Sequence, residues 1–188
     1  MMQLAYDLTD TVEIGGIDHE IDLSFDNVLR ILDLISDEEI NGEVMVTVSL
    51  ELFFGVCFLI DVEKQAAILR QVLSNVVGVS DKGEENLDIE GNPMPKDSPD
   101  EDKVYDLKQD ANYIYASFMQ DYQIDLIEQQ GKLHWHKFNA LLVGLKDDTK
   151  FRNVIEIRQA EIPKGKGSGK QAEQMKKMKK LYKLKDES

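Results

Sequence analysis

Two histidines flank the single tryptophan of the chain and are its first candidates for metal chemistry. His134 and His136 stand on either side of Trp135. On a helix, positions two apart point about 200° away from each other, so two such imidazoles cannot bind one metal ion. No Asp, Glu or Cys stands four residues after either histidine to complete a ligand set. We therefore expect surface or interface histidines and no metal site.

The other residue types that could carry catalysis also lack a supporting pattern. Cys57 lies within the apolar run FFGVCFLI, which predicts a buried small side chain rather than a reactive thiol. The glycines of KGKGSGK resemble a phosphate-binding loop, but their spacing differs from that motif and no strand precedes them. The carboxylates occur in runs, and no pair stands out for acid–base catalysis. We expect no enzyme and no cofactor, and a function carried by a surface.

The charge of the chain is divided unevenly along its length. The net charge is −14, yet residues 163–188 hold nine lysines and three acids, which leaves 13 basic and 33 acidic side chains elsewhere. An acidic body of this kind repels nucleic acid and anionic membranes. The longest apolar run, residues 52–60, is about half of what a membrane span needs. The one cysteine, Cys57, cannot form an internal disulfide, so the sequence predicts a soluble protein of a reducing cytoplasm.

Composition predicts four segments. Residues 1–78 are expected to hold a hairpin and helices, and residues 106–160 a helical bundle. Residues 79–105 are rich in acids and prolines, which predicts a mobile linker or a long loop. Residues 161–188 begin with a glycine-rich stretch and are expected to form a flexible, Lys-rich tail.

The N-terminal segment opens with a hairpin signal. Gly15 and Gly16 suit a tight turn between alternating apolar residues, and His19 is expected to be exposed on the second strand. Ser24 is a suitable N-cap for the helical stripe that follows it. The members of that stripe are Phe25, Val28, Leu29, Leu32 and Ile35.

Two further helices are predicted before the linker. A capping box from Ser36 to Glu39 is expected to begin the second helix. Residues 43–54 fit a strand or a helix; the preceding cap and Gly55 as a C-cap favour the helix. Asp61 is expected to cap a third helix that Gly78 closes.

Three short helices can be predicted within residues 106–158. Asp110 is expected to cap the first, and Gly131 separates it from the second. The second carries Trp135 in an apolar stripe, so this side chain is expected to be buried. Asp147 or Asp148 is expected to cap the third. The resulting fold class is mainly α: small helical bundles with an N-terminal β-hairpin.

The Lys-rich tail leaves three interpretations open. It could be a solvated disordered tail, a partner-binding helix, or a contact for nucleic acid or membrane. Its apolar residues could line one side of a helix. These are Met175, Met178, Leu181, Tyr182 and Leu184.

The sequence also resembles a known family in its most aromatic stretch. Residues 113–145, YIYASFMQDYQIDLIEQQGKLHWHKFNALLVGL, followed by KDDTKFRNVIEIR, resemble the phage family called gene product fifteen, from siphophages and prophages of Gram-positive bacteria. Residues 50–55 resemble a family helix that ends in Phe-Gly, which further favours a helix there. The matching positions are Asp110, 113–118, Tyr122, 124–126, His134, Trp135, Phe138, Gly144, Leu145, Ile157 and Arg158. His136 departs from the pattern, where another aromatic residue is expected.

The resemblance implies a tail assembly chaperone. Such a protein binds the tape measure protein and keeps it soluble until the tail tube polymerises around it. It acts in the host bacterial cytoplasm and is absent from the mature virion. The major tail protein and a second copy of the chain are further candidate partners; membrane and nucleic acid are not expected. Candidate partner-binding residues are Tyr113, Tyr115, Tyr122, His134, His136, Lys176, Lys177, Lys179 and Lys180.

Two rival functions belong to other classes. One is a structural tail or connector component, which would persist in purified particles. The other is a small regulatory protein that contacts nucleic acid through the lysine tail, with steeply salt-dependent binding.

Overall fold

A computed structural model describes residues 8, 10–74, 104–163 and 169–185 of the chain. Over these residues the protein is mainly α-helical with an N-terminal β-hairpin, which confirms the expected fold class. The elements are β1 (Thr11–Ile14), β2 (Ile17–Glu20), α1 (Phe25–Ser36), α2 (Gly42–Phe54), α3 (Val62–Val72), α4 (Ala111–Tyr122), α5 (Trp135–Val143), α6 (Lys150–Gln159) and α7 (Gly169–Tyr182). Gly78 and nearly all of the predicted linker lie outside the described residues.

The hairpin forms as predicted. Strands β1 and β2 pair antiparallel from Thr11↔Glu20 to Ile14↔Ile17. Gly15 and Gly16 have φ of 60° and 82°. A two-residue turn that matches the right-handed twist of the flanking strands requires positive φ at both positions. His19 differs from the prediction of an exposed residue. It is half-buried, because its ring packs edge-on against Phe54 at 6.3 Å.

Helix α1 begins after Ser24, but the serine does not cap it as expected. Its hydroxyl makes no cap hydrogen bond, and its backbone N–H donates to Asp22 Oδ1 at 2.9 Å. The buried apolar positions are Phe25, Val28 and Ile31. Leu29, Leu32 and Ile35, also predicted for this face, are only half-buried.

The predicted capping box is wrong, and the predicted helix after it is right. Ser36 is the last residue of α1, and its hydroxyl donates back to Leu32 O at 2.6 Å. Helix α2 begins later, because Asn41 accepts hydrogen bonds from the N–H groups of Glu43 and Val44. It ends at Gly55, whose φ of 68° is the left-handed conformation of a C-cap glycine.

The described residues divide into two compact units. The first comprises those within Met1–Met94 and Gln129–Ala140, and the second those within Pro95–Glu128 and Leu141–Ser188. In the first unit, α2 packs against both α1 and α3. A short β-bridge closes this unit: Trp135 N–H donates to Leu23 O at 2.7 Å, and Phe25 N–H donates to Leu133 O at 2.9 Å.

Trp135 is buried, as predicted, with 5% of its surface exposed. Its ring stacks on Phe138 at 5.8 Å, and Phe138 stacks on Phe25 at 5.0 Å. These contacts place Trp135 in the core of the first unit, although the sequence pattern groups it with the helices of residues 106–160. The single tryptophan therefore reports on the packing of the first unit.

In the second unit, α6 packs against α4 and α7. Helix α6 begins after Thr149 rather than after Asp147 or Asp148. The N–H of Phe151 in its first turn donates to Ser117 Oγ at 3.0 Å, so a serine of α4 satisfies the start of α6. Ser117 is fully buried. Because its hydroxyl accepts this N–H, the first turn of α6 does not depend on the exposed Asp147 or Asp148.

Residues 169–185 lie in the predicted flexible tail, yet they form helix α7 as far as Tyr182. Its inner side carries half-buried residues at helical spacing: Ala172, Met175, Lys179 and Tyr182. None of the α7 residues is fully buried. In the part of the chain that the structure describes, no helix has the length and apolar character needed to span a bilayer.

Candidate partner-binding surface

The most unusual surface of the first unit is the connection between α2 and α3. Residues 56–60 of this connection, called here the apolar loop, are all apolar. Leu59 is 99% exposed, Val56 58% and Ile60 41%. Cys57 is also exposed, so the prediction of a buried thiol is wrong. Large apolar side chains grouped in this way on a surface mark an interaction site more often than a chance arrangement.

A buried glutamine fixes the backbone of the apolar loop. Gln65 on α3 is 6% exposed, and its Nε2 donates to Phe58 O at 3.0 Å and to Ile60 O at 2.9 Å. Thr47 on α2 donates to Gln65 Oε1 at 3.0 Å, which orients the amide. Phe58 turns inward and packs edge-on against Phe54 at 4.9 Å. The exposed side chains therefore project from a loop with a defined backbone.

Acidic residues predominate beside the apolar loop, where Lys64 pairs with one of them, Asp61, at 3.3 Å. Glu51, Asp61 and Glu63 are exposed at the ends of the flanking helices. The Glu51 carboxylate, which accepts a hydrogen bond from the Cys57 thiol, raises the pKa of that thiol. Residues 10–74 as a whole carry fourteen acidic and three basic side chains. The loop thus suits a partner that combines apolar and basic side chains.

The three tyrosines predicted to bind a partner all lie on α4 in the second unit and are half-buried. Tyr122 donates its hydroxyl to Leu141 O at 2.9 Å, and Tyr115 donates to Asp125 Oδ2 at 3.1 Å. The hydrogen bond to Asp125 raises the pKa of Tyr115. Tyr113 packs edge-on against Tyr182 of α7. Each ring has a structural contact, and its role toward a partner stays a prediction.

The two histidines lie in the first unit, at the start of α5. His134 is buried, its Nε2 is 2.9 Å from Asp10 Oδ1, and its Nδ1 accepts the N–H of His136 at 3.0 Å. Burial lowers the pKa of His134, against the opposing effect of Asp10, and burial also lowers the pKa of His136. Among the described residues, no group of three His, Cys, Asp or Glu side chains is placed to hold a metal ion.

The four predicted lysines lie on α7. Lys176, Lys177 and Lys180 are exposed, and Lys179 is half-buried on the inner side. Two apolar side chains share the outer surface with them: Met178 is 37% exposed and Leu181 73%. The stretch from Gly169 to Lys185 holds seven lysines and one glutamate. The outer surface of α7 is therefore basic with two apolar residues at its centre.

Arg158 holds the end of α7 against the rest of the second unit. Its guanidinium forms a bidentate ion pair with Asp110 at 2.6 and 2.7 Å, and both side chains are largely buried. It also donates to Val104 O at 3.0 Å and to Tyr182 O at 2.6 Å. A cation at the last carbonyls of a helix stabilises that end. Sequence reasoning named Asp110 as a cap and missed this pairing.

The predicted site residues therefore fall into two groups. The tyrosines and lysines share the second unit, where Tyr113 and Lys150 contact Tyr182 of α7, while the histidines belong to the first. The apolar loop was missed as a surface, although one signal pointed to it. A predicted helix end at Gly55 and a predicted start at Asp61 leave residues 56–60 between them, too short a segment to form a buried element.

Comparison with protein families identifies the group to which this architecture belongs. The chain matches the family described as Bacteriophage Gp15 protein over residues 4–184. It belongs to that family. The match confirms the family resemblance and spans the apolar loop, the Asp110–Arg158 pair and α7 of this Gp15-family chain. No curated protein and no solved structure matches the chain.

Proposed function

We propose that this phage protein is a tail assembly chaperone that acts by binding and not by catalysis. Its client would be the tape measure protein, which it would keep soluble in the host cytoplasm until the tail tube forms around it. The observation that carries the proposal is the apolar loop, where Val56, Leu59 and Ile60 are exposed on a backbone that Gln65 fixes. Membership of the Gp15 family supports a phage role, and the acidic surface supports solubility at high concentration.

The geometry of the loop fits a helical client. An amphipathic helix binds by placing apolar side chains at helical spacing against an apolar surface. The preformed loop lowers the entropy that such binding would cost, because its backbone is already fixed. The surrounding carboxylates of Glu51, Asp61 and Glu63 would favour a client with basic residues beside its apolar ones and would slow the capture of acidic proteins.

Co-expression with the tape measure protein tests the proposal. The wild-type chain should raise the soluble fraction of the tape measure protein, and Leu59→Asp should abolish most of that gain. Burial of a leucine side chain contributes about 1.5–3 kcal/mol, so its loss weakens binding roughly 10- to 100-fold. Because Leu59 is 99% exposed, the substitution should leave the melting temperature unchanged.

The matched control is Ile127→Asp, at a side chain of the second unit that is 66% exposed. It places the same charge on an exposed apolar position that is not part of the apolar loop and should retain full chaperone activity. If the wild-type chain does not change the solubility of the tape measure protein, the chaperone function is wrong. If Leu59→Asp protects the client as well as the wild type does, the apolar loop is not the client site.

A further inference from the structure

The apolar loop carries a risk for the free protein. Leu59, Val56 and Ile60 expose apolar surface on an ordered backbone, and such a patch favours association whenever no client is bound. Leu59 has almost all of its surface in solvent. A segment able to cover the loop reversibly would keep the free protein soluble.

The outer surface of α7 has the properties that such a segment needs. Met178 and Leu181 are three residues apart, so they lie on the same side of the helix. Lys177 and Lys180 adjoin them, and residues 169–185 carry seven lysines against one glutamate. The opposite side of α7 is already in use, because Tyr182 contacts Tyr113 and Arg158 within the second unit. The outer side can therefore bind a partner while α7 stays in place.

The two surfaces are complementary in charge and in polarity. The loop presents apolar side chains within an acidic surround, in a region with fourteen acids and three bases, and α7 presents apolar side chains among lysines. Attraction between exposed charges of this kind acts over about 10 Å at 0.1 M salt and weakens as salt is added. Neither surface is complementary to itself, since the loop region is mainly acidic and the α7 surface is mainly basic. A loop–loop or a helix–helix contact would therefore be repulsive.

We propose that the outer surface of α7 in one copy of the chain docks on the apolar loop of a second copy. The contact is head-to-tail, because each copy uses a different surface, so it can propagate into rings or short chains. The proposal rests on the proposed function in one respect: α7 and the client occupy the same loop. Self-association would then protect the loop until a client helix displaces α7.

A mixing experiment with the full-length chain tests this head-to-tail contact. Leu59→Asp removes the loop surface and keeps α7, whereas the double variant Met178→Asp, Leu181→Asp removes the α7 surface and keeps the loop. Both changes are at exposed positions, and circular dichroism checks that each variant stays folded. The masses of each variant and of their mixture are measured by sedimentation velocity at concentrations on the order of 100 µM, where a micromolar interface is mostly occupied.

The expected result is specific to a head-to-tail contact. The wild type should form dimers and larger species that dissociate when salt is raised from about 0.05 M to about 0.5 M. Each variant alone should be monomeric, and the equimolar mixture should form heterodimers and nothing larger, because one functional pair of surfaces remains. Ile127→Asp should assemble like the wild type.

Other outcomes overturn the proposal. A wild-type chain that stays monomeric shows that α7 does not dock on another copy. Assembly of the Leu59→Asp variant by itself shows that a different surface is used. The double variant also separates this proposal from the chaperone function, because it should still solubilise the tape measure protein. If the double variant loses self-association and still protects the client, both proposals are supported. If the wild type is monomeric and Leu59→Asp fails to protect the client, only the self-association proposal is refuted.

Discussion

Replacement of Gln65 by glutamate should destabilise the first unit and release the apolar loop. The substitution keeps the size and shape of the side chain but exchanges the donor amide for an oxygen. Two hydrogen bonds are lost, those to Phe58 O and Ile60 O, and a negative charge then faces both carbonyl oxygens. Thr47 can still donate to the remaining oxygen.

The magnitude follows from these contacts. Each lost hydrogen bond contributes about 0.5–1.5 kcal/mol, which gives roughly 1–3 kcal/mol for the pair. Gln65 is 6% exposed, so the unpaired carboxylate adds a desolvation cost, reduced by the water next to the loop. We expect a total loss of about 3–5 kcal/mol, a large part of the roughly 5–15 kcal/mol typical of a domain. Gln65→Met removes the hydrogen bonds without adding charge and should lose only about 1–3 kcal/mol.

Urea denaturation followed by tryptophan fluorescence measures this effect, because Trp135 is buried in the same unit as Gln65. Hydrogen exchange of the amides from residue 56 to residue 62 should accelerate in both variants before global unfolding. Gln130→Glu, which introduces the same charge at an exposed position of the first unit, is the control and should change stability by less than about 0.5 kcal/mol. If Gln65→Glu is as stable as this control, solvent already satisfies the loop carbonyls, and the argument that Gln65 fixes the loop is wrong.

Two further predictions concern buried charge and pH. Asp110→Asn leaves the largely buried Arg158 guanidinium without its carboxylate and should lower the free energy of unfolding, measured by urea denaturation, by about 3 kcal/mol. Asp147→Asn, at an exposed ion pair, should lower it by less than about 0.5 kcal/mol. Equal losses would contradict the buried pairing. Because the pKa of His134 is lowered by burial, the unfolded chain binds a proton more readily, so the free energy of unfolding should fall as pH drops below about 6.5. His134→Gln should flatten this dependence.

The sequence predicted elements whose signal is local. The hairpin was predictable because Gly15 and Gly16 supply both positive φ values at adjacent positions. The start of α2 was misplaced because Ser36 and Asn41 are both good caps by type, and only the hydrogen bonds show which one is used. The start of α6 was misplaced for a related reason. Its cap, Ser117, comes from another helix, and no local pattern can show that contact.

The candidate surface was less predictable than the fold. An apolar run usually predicts burial, so the pattern around Cys57 and Leu59 indicates an interior position, yet burial depends on whether other elements cover the run. The family resemblance made the tyrosines of α4 candidates for partner binding. The hydroxyls of Tyr115 and Tyr122 are already used within the second unit. Likewise, the Lys-rich tail was expected to be flexible, because the contacts of Arg158 that hold α7 depend on residues far away in sequence.

Helix α5 sets an order of events while the chain is synthesised. The first unit needs residues 129–140, which are made only after the first segment of the second unit, Pro95–Glu128. Gly131 donates its N–H to Asp26 Oδ1, 105 residues earlier, and Phe25 stacks on Phe138, which is made later still. Contacts between such distant residues close late and slow folding. A nascent chain that ends before α5 would therefore present Phe25 and its neighbours unpaired, and cleavage before residue 95 would divide the first unit between two fragments while the second unit stays within one of them.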